Sequence, residues 1–237
     1  MPANSAVGLT LWKVRGQGRS YGNRLHVPVL TWYFDFLSPF AYLQTQRFGD
    51  FPEDAERVYK PVLFAGLLGY WESKGPAEIP PKRVFTYRYV QWFADKHHIP
   101  FRIPRAHPFN PLKALRLCIA LGCGEDAVTE IFRFIWAEGR APDDGSEWQA
   151  LCGRLGVTDG DARVSASEVK ATLRANTEEA AARGVFGVPT FETDGKLFWG
   201  LDATDMLLDY LARPEVFESA EMQRVSALPV GVERLKS

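Results

Sequence analysis

Hydrophobic residues run almost without interruption from Val29 to Phe36, in the segment VLTWYFDF. An apolar run of this length, with no regular alternation of polar positions, predicts a strand that is buried on both faces. Ser38 and Pro39 follow, and these residue types are favoured at the N-cap and at the first position of a helix. Apolar positions then recur at helical spacing as far as Phe48. We therefore expect a strand that leads directly into a helix, whose start presents the Ser38 hydroxyl and free N–H groups beyond the carboxyl end of the strand.

Strand signals occur in two further places. Glu56–Val62 (ERVYKPV) predicts a second strand, and the order strand, helix, strand is typical of a right-handed parallel βαβ unit. Much later in the chain, Val185–Gly200 contains apolar segments on either side of Asp194-Gly195, which predicts a hairpin with a type I′ turn. Val188-Pro189 immediately precedes the first strand of this hairpin, a position at which proline is tolerated.

The interval between these strands is predicted to be helical, because its apolar residues repeat at three- and four-residue spacing. Two proline-rich segments, Pro76–Pro81 and Ile99–Pro111, separate the helices. Ser165 and Glu168 have the spacing of a capping box, and Asp202 is expected to cap the last helix. The predicted helices are Leu63–Trp71, Lys82–His97, a helix opened by Asn110-Pro111, helices around 128–135 and 148–155, a helix from Ser165 to about Arg183, and a helix after Asp202.

Aromatic residues are concentrated in the first part of the helical interval. Several lie on one stripe of the predicted helix Lys82–His97, and we expect the group either to wall an apolar pocket or to join the core. The group consists of Trp71, Phe85, Tyr89, Trp92 and Phe109.

The order of these elements predicts an α/β protein with a thioredoxin-like fold and a large all-helical insertion. The thioredoxin-like domain is expected to comprise residues 29–63 and 184–213, with the insertion domain at 64–183. Residues 1–28 form an N-terminal arm that contains basic residues and no acid, and residues 214–237 form a C-terminal tail. The arm is expected to be flexible, and a transit peptide is the alternative. In a thioredoxin-like fold, the Val188-Pro189 bond is expected to be cis.

Composition narrows the possible functions. The 237 residues are 46% hydrophobic and 24% charged, as in ordinary globular proteins. A formal net charge of −1 provides no general attraction to nucleic acid, and no apolar run has the length of a membrane span. An odd, sparse set of cysteines without a CxxC pair suits a reducing cytoplasm. We expect the histidines to be surface or loop residues, because their spacing is not that of a metal site; they are His26, His97, His98 and His107.

Four motifs occur in order between about Val29 and Leu211. They are FDFLSPFAYL, KGPAEIPPKR, HPFNPLKALR and GVFGVPTF followed by LFWGLD. Together they resemble the 2-hydroxychromene-2-carboxylate isomerases, which share the DsbA-like branch of thioredoxin folds with the kappa-class glutathione transferases. Thioredoxins and DsbA proteins carry a CxxC at the start of the first helix, where this chain has Ser38–Ala41 (SPFA). Dithiol exchange is therefore excluded at this position, since neither thiol is present.

The resemblance implies glutathione as the cofactor and gives each site residue a role. Ser38 would hold the thiolate and act in catalysis, and Lys82 would reach the glycyl carboxylate. Val188 and Pro189 would flank the cysteinyl part, Leu201 and Asp202 would bind the γ-glutamyl end, and Asn110 would line the substrate pocket. The residues alone allow simpler interpretations, with helix caps at Ser38, Asp202 and Asn110 and a solvated lysine at Lys82. The chain also differs from the family pattern, with Ala203 in place of an arginine and Ser73 in place of an asparagine.

The implied activity is glutathione-dependent cis–trans isomerisation of an aromatic 2-oxo-enoate or hydroxychromene carboxylate. The family reaction interconverts 2-hydroxychromene-2-carboxylate and trans-o-hydroxybenzylidenepyruvate through reversible addition of the glutathione thiolate. The alternatives are a kappa-like glutathione transferase or peroxidase, and a glutathione-binding protein without turnover. The resemblance also implies a homodimer with a small aromatic substrate, with no nucleic acid or membrane as partner.

Overall fold

The structure of the protein, a computed structural model, describes residues 27–232. The predictions for residues 1–26 of the N-terminal arm, including the one for His26, lie outside the described residues. The same holds for residues 233–237 of the predicted tail.

A four-stranded mixed sheet forms the centre of the fold, with the strand order β2-β1-β3-β4. Strands β1 and β2 are parallel and pair Tyr33 with Lys60, whereas β3 is antiparallel to both β1 and β4. The strands are β1 (Val29–Phe34), β2 (Glu56–Pro61), β3 (Thr190–Thr193) and β4 (Lys196–Trp199). This arrangement confirms the predicted α/β thioredoxin-like fold.

Ten α-helices surround the sheet within the described residues. They are α1 (Pro39–Thr45), α2 (Phe64–Tyr70), α3 (Pro80–Lys96), α4 (Leu112–Ala120), α5 (Glu125–Phe132), α6 (Gly145–Arg154), α7 (Gly160–Ser165), α8 (Ser167–Ala182), α9 (Thr204–Ala212) and α10 (Ala220–Ser226). A π-helical turn, Arg133–Ala137, continues α5. Short 3₁₀ turns lie at Phe48–Asp50, Pro76–Glu78 and Pro214–Glu218. The helices between β2 and β3 agree with the predicted helical interval.

Strand β1 is buried on both faces, as its apolar sequence predicts. Trp32 and Phe34 point to one face and stack at 4.5 Å between ring centroids, within a cluster of buried aromatic rings. Tyr33 points to the other face, where it packs with residues of α2 and α8. The larger core includes residues of both predicted domains, so the division into a thioredoxin-like domain and an insertion stays a prediction.

Gln44 of α1 joins three distant segments in the core. Its side-chain oxygen accepts a hydrogen bond from the indole nitrogen of Trp32 at 2.6 Å. Its amide nitrogen donates to Thr204 Oγ1 at 3.2 Å and to the carbonyl oxygen of Gly200 at 3.3 Å. Because a buried amide without partners is costly, these three bonds fix α1 against β1 and the start of α9.

Several predicted caps are wrong. Ser165 ends α7 and Ala166 adopts an extended ψ of 138°, which starts a separate helix and lets both helices contribute a valine to the core. Asp202 does not cap α9, since its carboxylate turns back over Gly200, whose φ is +93°. Pro111, rather than Asn110, lies at the N-cap position of α4, although the Asn110 side chain still accepts from the Leu112 N–H at 3.0 Å.

Most of the aromatic group lies outside the core. On α3 the buried residues are Val90 and Ala94, whereas Phe85 is 68% exposed and Trp92 is 52% exposed. Tyr89 stacks on Phe85 in the same exposed face. Of the remaining two, Phe109 is buried and Trp71 is exposed. The predicted helix is confirmed, but the aromatic stripe of α3 faces outward in the single chain.

The hairpin turn depends on left-handed backbone at Asp194 and Gly195, with φ of 50° and 71°. We predict that Gly195→Ala lowers the free energy of unfolding by about 1–2 kcal/mol, because an L-residue is strained in this region. No neighbouring atom lies within 4 Å of the added methyl group, so a clash does not contribute. The matched control is Gly153→Ala, inside α6 and equally uncrowded, where alanine should stabilise by about 0.5–1 kcal/mol. Urea denaturation of both variants provides the test, and changes of the same sign would contradict the turn assignment.

Candidate active site

Ser38 lies at the point where β1 leads into α1. It has extended backbone, with φ −88° and ψ 115°, and its hydroxyl oxygen accepts from the Ala41 N–H at 3.3 Å. Pro39 occupies the first helical position, which confirms the predicted cap. A hydroxyl that accepts at its oxygen still carries its own hydrogen. Half-buried Ser38 can therefore cap the helix and donate a hydrogen bond to an anion at the same time.

The loop before Ser38 is held at almost every backbone group. The N–H of Leu37 donates to Asp35 Oδ1 at 2.9 Å, and the N–H of Ser38 donates to the Asp35 carbonyl at 3.0 Å. The carbonyl of Phe36 accepts from the indole nitrogen of Trp136 at 2.8 Å. These bonds fix the direction in which the strand delivers Ser38.

The Leu37 carbonyl is held by His107, whose Nε2 lies 2.9 Å from the oxygen. A carbonyl only accepts hydrogen bonds, so Nε2 carries the hydrogen. Burial lowers the pKa of His107 below its usual value, and the bond to Leu37 acts in the opposite direction. His107 lies in a loop, as predicted, but it is half-buried there and its ring packs against Trp136 at 5.4 Å.

Asp35 is the one charged residue in the apolar run of β1, and it is fully buried. Its second carboxylate oxygen accepts from the N–H of Phe64 at 2.9 Å, which ties the start of α2 to the loop of Ser38. Burial raises the pKa of Asp35 to about 7, and the N–H donors of Leu37 and Phe64 oppose this rise. A lone charge near the end of the apolar run Val29–Phe36 is the sequence signal for this residue, which the sequence-based prediction did not include.

The Val188-Pro189 bond is cis, as the thioredoxin-like fold predicts. Because Thr190 pairs with Tyr33, the two residues before Thr190 lie beside the chain that continues from β1 toward Ser38. The backbone N–H and C=O of Val188 form no hydrogen bond to any residue in the described part of the chain. An extended ligand at the start of α1 can pair with these groups.

The other predicted site residues differ in their surroundings. Leu201 is buried and Asp202 is exposed in the turn after β4, and Gln44 connects this turn to α1. Lys82 is exposed in the first turn of α3, which packs on α1 through Phe40 and Tyr89. Asn110 is exposed, with its side-chain oxygen engaged at the start of α4. The strand register thus places Val188 and Pro189 beside the chain that leads to Ser38, and the roles of all seven predicted site residues stay predictions.

Within residues 27–232, no group of three or more histidine, cysteine or acidic side chains is arranged to hold a metal ion. The three cysteines, Cys118, Cys123 and Cys152, are free thiols, and Cys118 and Cys152 are buried. Among the described helices, none has both the length and the apolar character needed to cross a membrane.

Comparisons with known proteins agree with this geometry. A sequence profile of the DSBA-like thioredoxin domain matches residues 29–212. The chain is 30% identical over 197 residues to a 2-hydroxychromene-2-carboxylate isomerase of Pseudomonas putida, covering 78% of this chain and 95% of the relative. The corresponding isomerase of Sphingobium xenophagum is 29% identical, with coverage of 77% and 97%. Glutathione S-transferase kappa 2 of Caenorhabditis elegans is also 29% identical, with coverage of 78% and 92%.

A solved structure of 2-hydroxychromene-2-carboxylate isomerase superposes with a TM-score of 0.69 and 25% identity, covering 81% of this chain and all of the other. A probable DsbA oxidoreductase from Streptomyces coelicolor shares the fold, with a TM-score of 0.56 at 16% identity. Sheet order, cis-proline and helical interval define a DsbA-like thioredoxin protein in which serine stands at the redox position. Within that class, the chain belongs to the 2-hydroxychromene-2-carboxylate isomerase family, which confirms the predicted resemblance.

The raised pKa of Asp35 makes stability depend on pH. The unfolded carboxyl titrates near 3.8 and the folded one near 7, so the folded state binds more protons between these values. Stability contributed by Asp35 is therefore lost as the pH rises through this window. We predict that wild type loses about 3 kcal/mol relative to Asp35→Asn between pH 5 and pH 8.

Urea denaturation at several pH values tests this dependence. Asp54→Asn, which changes an exposed aspartate, is the control and should follow the pH profile of wild type. If the difference in unfolding free energy between wild type and Asp35→Asn is the same at every pH, burial does not shift the pKa of Asp35.

Proposed function

We propose that this protein is a glutathione-dependent isomerase of an aromatic 2-oxo-enoate or hydroxychromene carboxylate. Its relatives include isomerases and glutathione transferases, which supports an enzymatic role. The observation that carries the proposal is Ser38, a hydroxyl at a helix start where dithiol enzymes of this fold carry cysteine. With no thiol at this position, a thiol cofactor supplies the sulfur.

The residues around Ser38 fit glutathione. The unpaired backbone groups of Val188 suit the peptide-like cysteinyl portion, which Pro189 flanks. The exposed amine of Lys82 suits a carboxylate, as the exposed carboxylate of Asp202 suits an ammonium group. We propose that Lys82 binds the glycyl end and that Leu201 and Asp202 bind the γ-glutamyl end. Asn110 is proposed to line the substrate pocket.

The free energy needed to ionise the bound thiol can be compared with what Ser38 and the start of α1 supply. A thiol with a pKa of about 8.5 is roughly 3% ionised at pH 7, and lowering the pKa by about two units gives roughly 75% thiolate. This shift requires about 2.7 kcal/mol of preferential stabilisation of the anion. A charge-assisted hydrogen bond supplies about 1.5–3 kcal/mol and a helix start about 0.3–1 kcal/mol. Ser38 and the start of α1 together suffice, so the serine itself need not be the nucleophile.

When bound, glutathione would supply a thiolate for reversible addition to the conjugated carbon, and the same thiolate would be expelled after rotation about the resulting single bond. The protein's own residues hold the anion and orient it. The hydroxyl of Ser38 donates to the sulfur, the N–H groups of α1 favour negative charge, and the fixed loop before Ser38 keeps both in register. This division of labour returns the thiol unconsumed at the end of each cycle.

A kappa-like glutathione transferase or peroxidase is the second candidate, favoured by the similarity to the kappa-class relative. The two functions differ in the fate of glutathione. Isomerisation leaves its concentration unchanged, whereas transfer or peroxide reduction consumes it in proportion to product. Assay of free thiol beside product formation separates them, and binding without either activity would indicate a non-catalytic protein.

We predict that Ser38→Ala raises the pKa of the bound glutathione thiol by about one to two units, because a charge-assisted hydrogen bond is lost. Turnover at pH 7 should then fall roughly 3- to 25-fold, in proportion to the thiolate fraction. Glutathione affinity should change little, since other residues hold the ends of the molecule. Thiolate absorbance in the ultraviolet, measured against pH, reports the thiol directly.

Ser219→Ala is the matched control for Ser38→Ala. Ser219 caps α10 in the same way, with its hydroxyl oxygen 3.3 Å from the Met222 N–H, and it lies outside the site. It should cost a similar cap energy, about 0.5–2 kcal/mol, without changing the thiol. An unshifted thiol pKa in wild-type protein would remove the basis of the proposal.

We also propose that the protein is a cytoplasmic homodimer and that the exposed face of α3 contributes to the interface. Phe85, Tyr89 and Trp92 form a contiguous aromatic surface, and aromatic residues are enriched in the buried centres of interfaces. The free cysteines suit a reducing compartment.

Trp92→Asp is predicted to shift the protein from dimer to monomer, because it would remove a large aromatic side chain from this surface and bury a charge in its place. Sedimentation velocity at several concentrations measures the change. Tyr70→Asp, at another exposed aromatic residue, should leave the sedimentation coefficient unchanged. A monomeric wild type would refute the interface, as would a dimer unaffected by Trp92→Asp.

A further inference from the structure

Tyr87 connects helix α3 to the loop of Ser38 through His107. The hydroxyl of Tyr87 lies 2.8 Å from His107 Nδ1 and 2.7 Å from the His107 carbonyl oxygen, and it donates its single hydrogen to these two acceptors of the same residue. On the far side of the ring, Nε2 donates to the Leu37 carbonyl at 2.9 Å. A continuous chain of hydrogen bonds therefore runs from α3 to the peptide bond that precedes Ser38.

The peptide bond between Leu37 and Ser38 is held on both sides. Its carbonyl accepts from His107, and its N–H donates to the carbonyl of Asp35 at 3.0 Å. With both groups engaged, the peptide plane cannot rotate without breaking a partly buried hydrogen bond. The backbone position from which the Ser38 hydroxyl projects is thus partly set by a histidine that lies 70 positions away in the sequence.

Lys82 lies on the same helix as Tyr87, in the preceding part of α3. A helix is rigid over this distance, so anchoring Tyr87 also fixes the position from which Lys82 extends. The bond network consequently links the elements that carry two proposed glutathione contacts, Lys82 for the carboxylate and Ser38 for the sulfur.

We propose that Tyr87 and His107 are a positioning pair that holds α3 and the Ser38 loop at the separation required by the glycyl carboxylate and the sulfur of bound glutathione. This inference rests on the proposed function. Neither residue contacts the reacting atoms; the pair acts through Leu37 on Ser38 and through α3 on Lys82. Small errors in such a separation matter, because hydrogen bonds to a reacting group weaken steeply with distance and angle.

The surroundings of His107 allow variants that separate the effect of its hydrogen bonds from the effect of its packing. The His107 ring packs against the rings of Trp136 and Phe109, at 5.4 and 6.1 Å between centroids. His107→Phe fills this space without any N–H. His107→Gln retains an N–H donor near the place of Nε2. Tyr87→Phe removes a single hydroxyl and keeps the ring.

We expect His107→Phe to raise the pKa of the bound glutathione thiol by about 0.5–1 unit and to lower kcat several-fold, with a smaller change in KM for glutathione, since a weakened hydrogen bond stabilises the thiolate less. His107→Gln should recover most of both losses, because its side-chain N–H can again hold the Leu37 carbonyl. Tyr87→Phe should raise KM for glutathione more than it changes the thiol, since α3 is the element it frees. Thiolate absorbance against pH and steady-state kinetics give these values.

Tyr210→Phe is the control, since it also removes a tyrosine hydroxyl that donates a hydrogen bond, to Asp194 at 2.9 Å beside the hairpin. It should leave thiol pKa and kinetics unchanged. Unfolding by urea is measured for every variant, and if His107→Phe does not fold, His107→Gln and Tyr87→Phe decide the outcome. A loss of stability alone, with wild-type thiol pKa, kcat and KM, would show a structural role and overturn the positioning pair.

Ser38→Ala in the same titration separates this inference from the function on which it rests. If Ser38→Ala leaves the pKa of the glutathione thiol unchanged, the proposed function fails and the proposal of a positioning pair fails with it. If Ser38→Ala shifts the thiol while the His107 and Tyr87 variants leave it and the kinetics unchanged, the positioning pair alone is contradicted.

Discussion

The loop that joins β1 to α1 is largely buried, so its backbone polar groups need partners inside the protein. Those partners come from two places: the carboxylate of Asp35 from the loop itself, and the indole of Trp136 and the imidazole of His107 from the helical interval. This requirement explains why a thioredoxin-like sheet carries its helices where it does. The helical interval supplies hydrogen-bond partners to the loop that leads into α1, and it also covers α1.

Serine in place of cysteine at the start of α1 changes the chemistry of the site without changing the fold around it. The same helix start that lowers a cysteine pKa in dithiol proteins remains available to any anion placed there. Ser38 uses its oxygen for the cap and leaves its hydrogen for a ligand. A structural requirement of the helix and a chemical requirement of a thiolate are thus met by one side chain.

Much of this architecture follows from the sequence because it depends on local patterns. The apolar run of β1, the Ser38-Pro39 cap, the Asp194-Gly195 turn and the family motifs each act over a few residues, and the structure agrees with them. The partners of the Ser38 loop do not follow, because they depend on contacts between distant segments. His107 had no local feature to indicate that it reaches Leu37, and the outward orientation of the α3 stripe depends on which face of the helix meets α1.

The long-range hydrogen bonds of Gln44 affect when α1 can be fixed in place during synthesis of the chain. The amide joins Trp32 to Gly200 and Thr204, and the partners lie 156 and 160 positions beyond Gln44 in the chain. During synthesis from the amino terminus, α1 is complete long before the turn that anchors it has left the ribosome. Until then the Gln44 amide group lacks these two acceptors and remains hydrated. A nascent or truncated chain that ends before Gly200 would carry Ser38 without the contacts that fix the orientation of α1.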